Sequence, residues 1–262
     1  MLFRSDANVT FIGRVGADDR GRRCLAKLSA EDVDTEFCVI DADAGTGVAL
    51  IMIGPDGEKT IMTAPGANLL LATEDIERAR PALTSAKVLL LQLECGIAPT
   101  LAAAKVARSA KVLTVLDAAP PVAMPDELIA HLDVVRANAS EAHVITGIEV
   151  RDVDSARKAA HELRRRGAGA ACIATKDGDL LVFGSDEVWL PHQKVDSIDA
   201  TGAGDAFVAG IAVGLAENRS LTEAAWLGCV ASALKTTRVG AQAGLPRREE
   251  VDLFLGSIRR DD

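Results

Sequence analysis

Strand-like apolar runs alternate with amphipathic stretches along most of the chain. Runs suited to buried strands occur at 9–12, 87–93, 112–116, 134–135 and 171–174, and helical stretches fall between them. Continuous apolar strands separated by amphipathic helices predict a mostly parallel sheet with helices on its faces, an α/β fold. Two helices are well marked. The stretch 98–109 carries Pro99 in its first turn, where a missing N–H costs nothing. The stretch 155–166 ends in Arg164-Arg165-Arg166 ahead of Gly167, the residue type that stops a helix.

One segment departs from this rhythm. Gly47-Val48-Ala49-Leu50-Ile51-Met52-Ile53 and Lys59-Thr60-Ile61-Met62-Thr63 flank Gly54-Pro55-Asp56-Gly57-Glu58, two β-prone runs joined by turn residues. The pattern predicts an antiparallel hairpin over 45–64. A hairpin of this kind does not fit inside a parallel βαβ series, so it projects either as a lid over a ligand or as an edge hairpin without function. No internal repeat or low-complexity linker divides the chain, and residues 1–262 read as one domain.

Composition narrows the function classes. The chain is 48% hydrophobic and 26% charged, in the globular range. Lys and Arg number 29 against 38 Asp and Glu, and 29 − 38 = −9. An acidic chain without a long basic block argues against nucleic acid or an anionic membrane surface as partner. The apolar run 88–91 is far below the roughly 20 residues a spanning helix needs, and Met1-Leu2-Phe3-Arg4-Ser5-Asp6 lacks a signal peptide's apolar core. Cys24, Cys38, Cys95, Cys172 and Cys229 are scattered without a C-x-x-C pair and read as buried small hydrophobes in a reducing compartment, so the expected address is cytoplasmic. His131, His143, His161 and His192 lack metal-ligand spacing.

The densest chemical signal is Asp199-Ala200-Thr201-Gly202-Ala203-Gly204-Asp205-Ala206-Phe207-Val208-Ala209-Gly210, a small-residue loop running into an apolar helix. Small residues let backbone N–H groups approach a ligand closely, and at a helix N-terminus they form an anion cradle whose natural guest is phosphate. Asp205, in the first turn beside the cradle, can take a proton from a hydroxyl attacking phosphorus. Together these predict phosphoryl transfer. The competing reading is a Gly/Ala-packed helix start with Asp205 as a cap.

The same segment resembles the signature of the ribokinase-like (PfkB-type) carbohydrate kinases, Asp-Thr-Thr-Gly-Ala-Gly-Asp-x-Phe-x-x-Gly, with Ala200 in place of one threonine. The resemblance extends along nearly the whole chain. It includes Gly13, Gly16 and Asp18-Asp19, Gly45-Thr46-Gly47, Gly66-Ala67-Asn68, Leu91-Gln92-Leu93-Glu94, Asn138-Ala139-Ser140-Glu141 and Thr237-Arg238-Val239-Gly240-Ala241-Gln242. It implies a three-layer sandwich with a lid hairpin, and an ATP-dependent sugar kinase with ribose as the first expected acceptor. Asp205 would then be the catalytic base, with the backbone of Thr201, Gly202, Ala203 and Gly204 holding the developing charge. Asn138 and Glu141 would organise Mg²⁺ and the ATP phosphates through water, with Thr175 near the nucleotide. Carbonyls around Asp199 and Gly240-Ala241 would hold a monovalent cation, K⁺ in the family. Glu94 would contact the sugar, and paired lids would make a homodimer. Taken without the family, Asn138 and Glu141 read as helix-start caps and Glu94 as a solvated strand-end charge.

Several family features are not found. The family's opening strand with its sugar-binding aspartate, and a G-G-x-x-x-N motif on the first long helix, precede the segment matching Ala7. The turn after Thr175, Lys176-Asp177-Gly178-Asp179, is short, and Gly244 stands where many members place a serine near the cation. The alternative expectation is therefore an N-terminally shortened, catalytically impaired nucleotide-binding relative.

Overall fold

The computed structural model describes residues 4, 5, 7–53 and 59–258. In chain order the elements are β1 (Gly13–Gly16), α1 (Asp19–Ser29), β2 (Cys38–Asp41), β3 (Val48–Ile53), β4 (Lys59–Ala64), α2 (Thr73–Arg78), α3 (Arg80–Ser85), β5 (Val88–Leu91), α4 (Ile97–Ala110), β6 (Leu113–Asp117), α5 (Asp126–Ile129) and β7 (Val134–Ala137). They continue with α6 (Ala139–Thr146), α7 (Val153–Arg165), β8 (Ala170–Ala174), β9 (Gly178–Phe183), β10 (Asp186–Pro191), α8 (Ala203–Ala216), α9 (Leu221–Thr236) and α10 (Arg248–Ile258).

The main sheet has six strands in the order β10-β9-β8-β7-β6-β5. Strands β5 to β8 are parallel, as their near-continuous apolar character requires. Side-chain alternation divides the core into layers. Leu116, Val135 and Ile173 join Leu128, Ile129 and Leu163 on the face covered by α4 to α7. Val115, Val134 and Cys172 point the other way, onto Phe207 and Ile211 of α8 and Cys229 of α9. Helices α8 and α9 cross at glycines: a Cβ on Gly210 would lie 2.5 Å from Gly228 Cα, and one on Gly228 would lie 2.5 Å from the Phe207 carbonyl oxygen. Backbone meets backbone there. The α/β sandwich expected from the pattern is present.

Two smaller sheets stand apart from it. Strands β1 and β2 pair in parallel, and β3 and β4 form the expected antiparallel hairpin with Leu50 opposite Met62. The hairpin's turn, 54–58, lies outside the described residues. Its base is tied down. The Asp18 carboxylate caps α1 through Gly21 N (2.8 Å) and accepts from Thr46 N (2.9 Å) and Thr46 Oγ1 (2.6 Å). These bonds, led by that from the Thr46 hydroxyl, hold Asp18 down to a pKa of about 2. Gly45 O accepts from Ala67 N at 2.9 Å, and a Cβ on Gly66, at φ +51°, would fall 2.3 Å from that same oxygen.

Two expectations need correction, and two strands are added. The strand placed at 9–12 begins only at Gly13. Thr10 makes an isolated parallel bridge to Asp34, with Phe11 N donating to Asp34 O and Asp34 N to Val9 O at 2.8 Å each, and Phe11 is exposed, so this run is a single bridge and not a buried strand. Beyond β8 the chain folds back as the antiparallel meander β9-β10, two strands that the apolar pattern does not mark. Cys24 is exposed, whereas Cys172 and Cys229 are buried as expected.

Candidate active site

The parallel strands end at one edge of the sheet, the usual location of ligand sites in such folds, and the N-terminus of α8 meets them there. Gly202 is the N-cap of α8 at φ +84°, and Asp205 lies in its first turn. Two loop donors are already engaged: Thr201 N donates to Asp199 Oδ1 (2.9 Å) and Ala203 N to Ala200 O (3.2 Å). The first N–H groups of a helix have no intrahelical acceptor; of the expected donors Thr201, Gly202, Ala203 and Gly204, two are thus already engaged within the loop. The Asp205 carboxylate is exposed and accepts from Gln92 Nε2 at 3.3 Å, just past the end of β5.

Beneath the cradle sits a buried ion pair that the sequence reading did not single out. Arg136 of β7 donates to Asp117 of β6 at 3.2 Å, with side chains 12% and 5% exposed. The guanidinium packs 5.8 Å over the Phe207 ring. A Cβ on Gly204 would lie 2.9 Å from Arg136 Nη1, so any side chain there would require the guanidinium to shift. Burial draws the Arg136 pKa down, but Asp117 and then Asp179 more than offset it. Arg136 Nε and Asp179 Oδ1 are buried without hydrogen-bond partners among the described residues.

Asn138 and Glu141 cap α6 reciprocally: Glu141 N donates to Asn138 Oδ1 (3.0 Å), Asn138 N to Glu141 Oε2 (2.7 Å) and Asn138 Nδ2 to Glu141 Oε1 (2.8 Å). The capping reading is thus satisfied, and Glu141 is buried at the same edge. Burial raises the pKa of Glu141, Asp117 and Glu94, and each is raised further by neighbouring carboxylates, Asp205 among those acting on Glu94 and Asp117. Such an accumulation of negative charge suits a hydrated divalent cation, and no group of three or more His, Cys, Asp or Glu side chains placed to hold a metal occurs among the described residues. Thr175 closes the β8–β9 turn, its N and Oγ1 donating to Gly178 O at 2.8 and 2.9 Å. It also borders an open depression of about 440 Å³ walled by Arg151, Lys176, Asp177 and Trp189.

The loop carrying Asp199 is pinned from both sides. Its second carboxylate oxygen accepts from Gly240 N at 2.9 Å. Its carbonyl accepts from Lys235 Nζ at 3.1 Å, and Arg238 O accepts from the same ammonium at 3.1 Å. Of the carbonyls expected to receive a monovalent cation, that of Asp199 therefore already accepts from a lysine ammonium, and that of Gly240 accepts from Gly244 N at 2.9 Å. Neither Lys235 nor Arg136 was marked by the sequence pattern. An apolar strand containing one arginine, and an apolar helix ending in lysine, are ordinary patterns.

Comparison with known proteins agrees with this geometry. The pfkB family carbohydrate kinase model matches residues 2–248. Ribokinase of Staphylococcus aureus (strain COL) is 32% identical over 251 residues, 95% of this chain and 83% of that one. Ribokinase of Mus musculus is 33% identical over 258 residues, 96% and 80% of the two chains. The crystal structure of ribokinase from Thermotoga maritima superposes with a TM-score of 0.85 at 29% identity, covering 97% of this chain and 84% of that one. This chain belongs to the pfkB family of carbohydrate kinases, phosphotransferases with an alcohol group as acceptor.

Proposed function

We propose that the protein transfers the γ-phosphoryl group of ATP to a primary hydroxyl of a sugar, with ribose the favoured acceptor. The observation that carries this reading is Asp205, exposed in the first turn of α8 beside Gly202 and Gly204 and held by Gln92. Asp205 takes the proton of the attacking hydroxyl, while the open N–H groups of the helix start receive the charge that develops on the transferred group. Arg136 adds a fixed positive charge behind Gly204. Glu94 and Gln92 face the acceptor. Asn138, Glu141 and Thr175 border the nucleotide, and Glu141 would bind Mg²⁺ through water, since both its oxygens are taken by Asn138. Bound Mg²⁺ neutralises phosphate charge and helps keep the reacting groups in line. Leu50 and Met62, paired on one face of the hairpin and 57% and 58% exposed, support pairing of two lids into a homodimer.

The test is ADP release from Mg-ATP with ribose, deoxyribose, fructose and adenosine as acceptors. Turnover should be greatest with ribose and should vanish in Asp205→Asn, with ATP affinity little changed. A fully active variant would remove Asp205 from the mechanism, and turnover equal in all acceptors and in none would remove the ribose assignment.

A further inference from the structure

Lys235 lies in the last turn of α9 with a relative exposure of 0%. An ammonium withdrawn from water is destabilising unless polar groups replace its hydration. Here backbone carbonyls do so from two segments. Asp199 O and Arg238 O each accept from Nζ at 3.1 Å. Gly244 completes the wall: a Cβ there would lie 3.1 Å from Nζ and 2.8 Å from both Arg238 O and Gly240 O. Any side chain at 244 would crowd the ammonium and the carbonyls around it. Converging backbone carbonyls about one buried positive charge are how proteins hold a dehydrated monovalent cation, and an ammonium has the charge and nearly the size of K⁺.

The position of this charge gives it a task. Asp199 joins it to the anion cradle: its carbonyl accepts from Lys235, while its carboxylate accepts from Thr201 N on one side and Gly240 N on the other. Thr201 leads directly into Gly202 and the first turn of α8. We infer that Lys235 is a tethered replacement for the monovalent cation, a positioning residue whose ammonium fixes the 199–205 loop, so that phosphoryl transfer by this chain needs no K⁺. The inference rests on the kinase reading for its catalytic consequence, and on the carbonyl geometry alone for the site.

The experiment compares wild type, Lys235→Ala and Lys235→Met in potassium and in tetramethylammonium chloride at equal ionic strength, by thermal unfolding of the unliganded protein and by ADP release. Wild type should show the same melting temperature and rate in both salts. Lys235→Ala opens a carbonyl-lined hole that an ion can enter, so its melting temperature should rise by about 5 °C or more on adding K⁺, and its depressed rate should recover about tenfold in parallel. Lys235→Met fills the hole without charge and should respond to neither salt. A wild type stabilised or activated more than about twofold by K⁺ would overturn the inference, as would a Lys235→Ala protein indifferent to K⁺ and as active as wild type. If the alanine variant does not fold, the wild-type salt comparison decides alone. Absence of turnover with every acceptor would refute the sugar-kinase reading and leave the unfolding comparison intact.

Discussion

The Arg136–Asp117 pair permits a quantitative test of the charge beneath the cradle. Arg136→Met keeps most of the chain length over Phe207 and removes the cation, leaving the Asp117 carboxylate buried against Glu94, Glu141 and Asp205. At 3.2 Å the attraction is about 5 kcal/mol at an effective dielectric constant of about 20, and desolvation cancels much of it. What the substitution exposes is the cost of an unpaired buried charge, about 3–5 kcal/mol. Asp117 can relieve itself by protonation, since burial already raises its pKa. The expected loss is therefore about 3 kcal/mol at neutral pH. A raised folded pKa is stabilising below the unfolded value of about 4 and loses that contribution as pH rises. The deficit of Arg136→Met should accordingly shrink as pH falls toward 4. Asp117→Asn, which strands the guanidinium instead, should be comparably destabilised at pH 7, and the double variant should recover about 2 kcal/mol relative to the sum of the singles. Urea unfolding followed by Trp189 and Trp226 fluorescence measures all three at unchanged m. Singles costing less than about 1 kcal/mol, or a double equal to their sum, would refute the reasoning.

Other perturbations reach different parts of the molecule. Gly228→Ala drives a methyl into the Phe207 carbonyl at 2.5 Å; a loss of about 3 kcal/mol or more is expected by thermal unfolding, accompanied by reduced turnover because α8 carries Asp205. Asp18→Asn should be less stable than wild type at pH 6. Since the Asp18 pKa falls from 3.8 to about 2 on folding, its contribution is present above 3.8 and lost as pH falls toward 2, so the two melting curves should converge over that interval. Leu50→Asp should convert a lid-paired dimer to monomer in light scattering without lowering the melting temperature of the monomer, and an unchanged mass would exclude this face as the contact.

The strong periodic signals were legible and the single polar residues were not. Helices α4 and α7 appeared within two residues of the stretches read from Pro99 and Gly167, because caps and stop signals act locally. The loop 199–205 announced itself by composition. The β9-β10 meander was missed although Gly184-Ser185 sits between two strand runs, with Phe183 opposite Asp186. Gly184-Ser185 is a two-residue turn of the kind that joins antiparallel strands, but the acidic and glycine residues at 177–179 break the apolar alternation ahead of it. Arg136 and Lys235 could not be found from pattern, since what distinguishes them is the set of acceptors brought from 117, 199 and 238 by the fold. Distances through space, set by strand order and helix crossing, carry that information.

The glycine contact between α8 and α9 has a mechanical consequence. It joins the helix bearing Asp205 to the helix bearing Lys235 with no compliant side chain in between, so the phosphate half of the molecule behaves as an anvil. The β1-β2 and β3-β4 sheets form a separate piece, held to each other through the Asp18–Thr46 and Gly45–Ala67 latches. Those latches make the two small sheets move as one piece, so the hairpin's position follows that of β1 and α1.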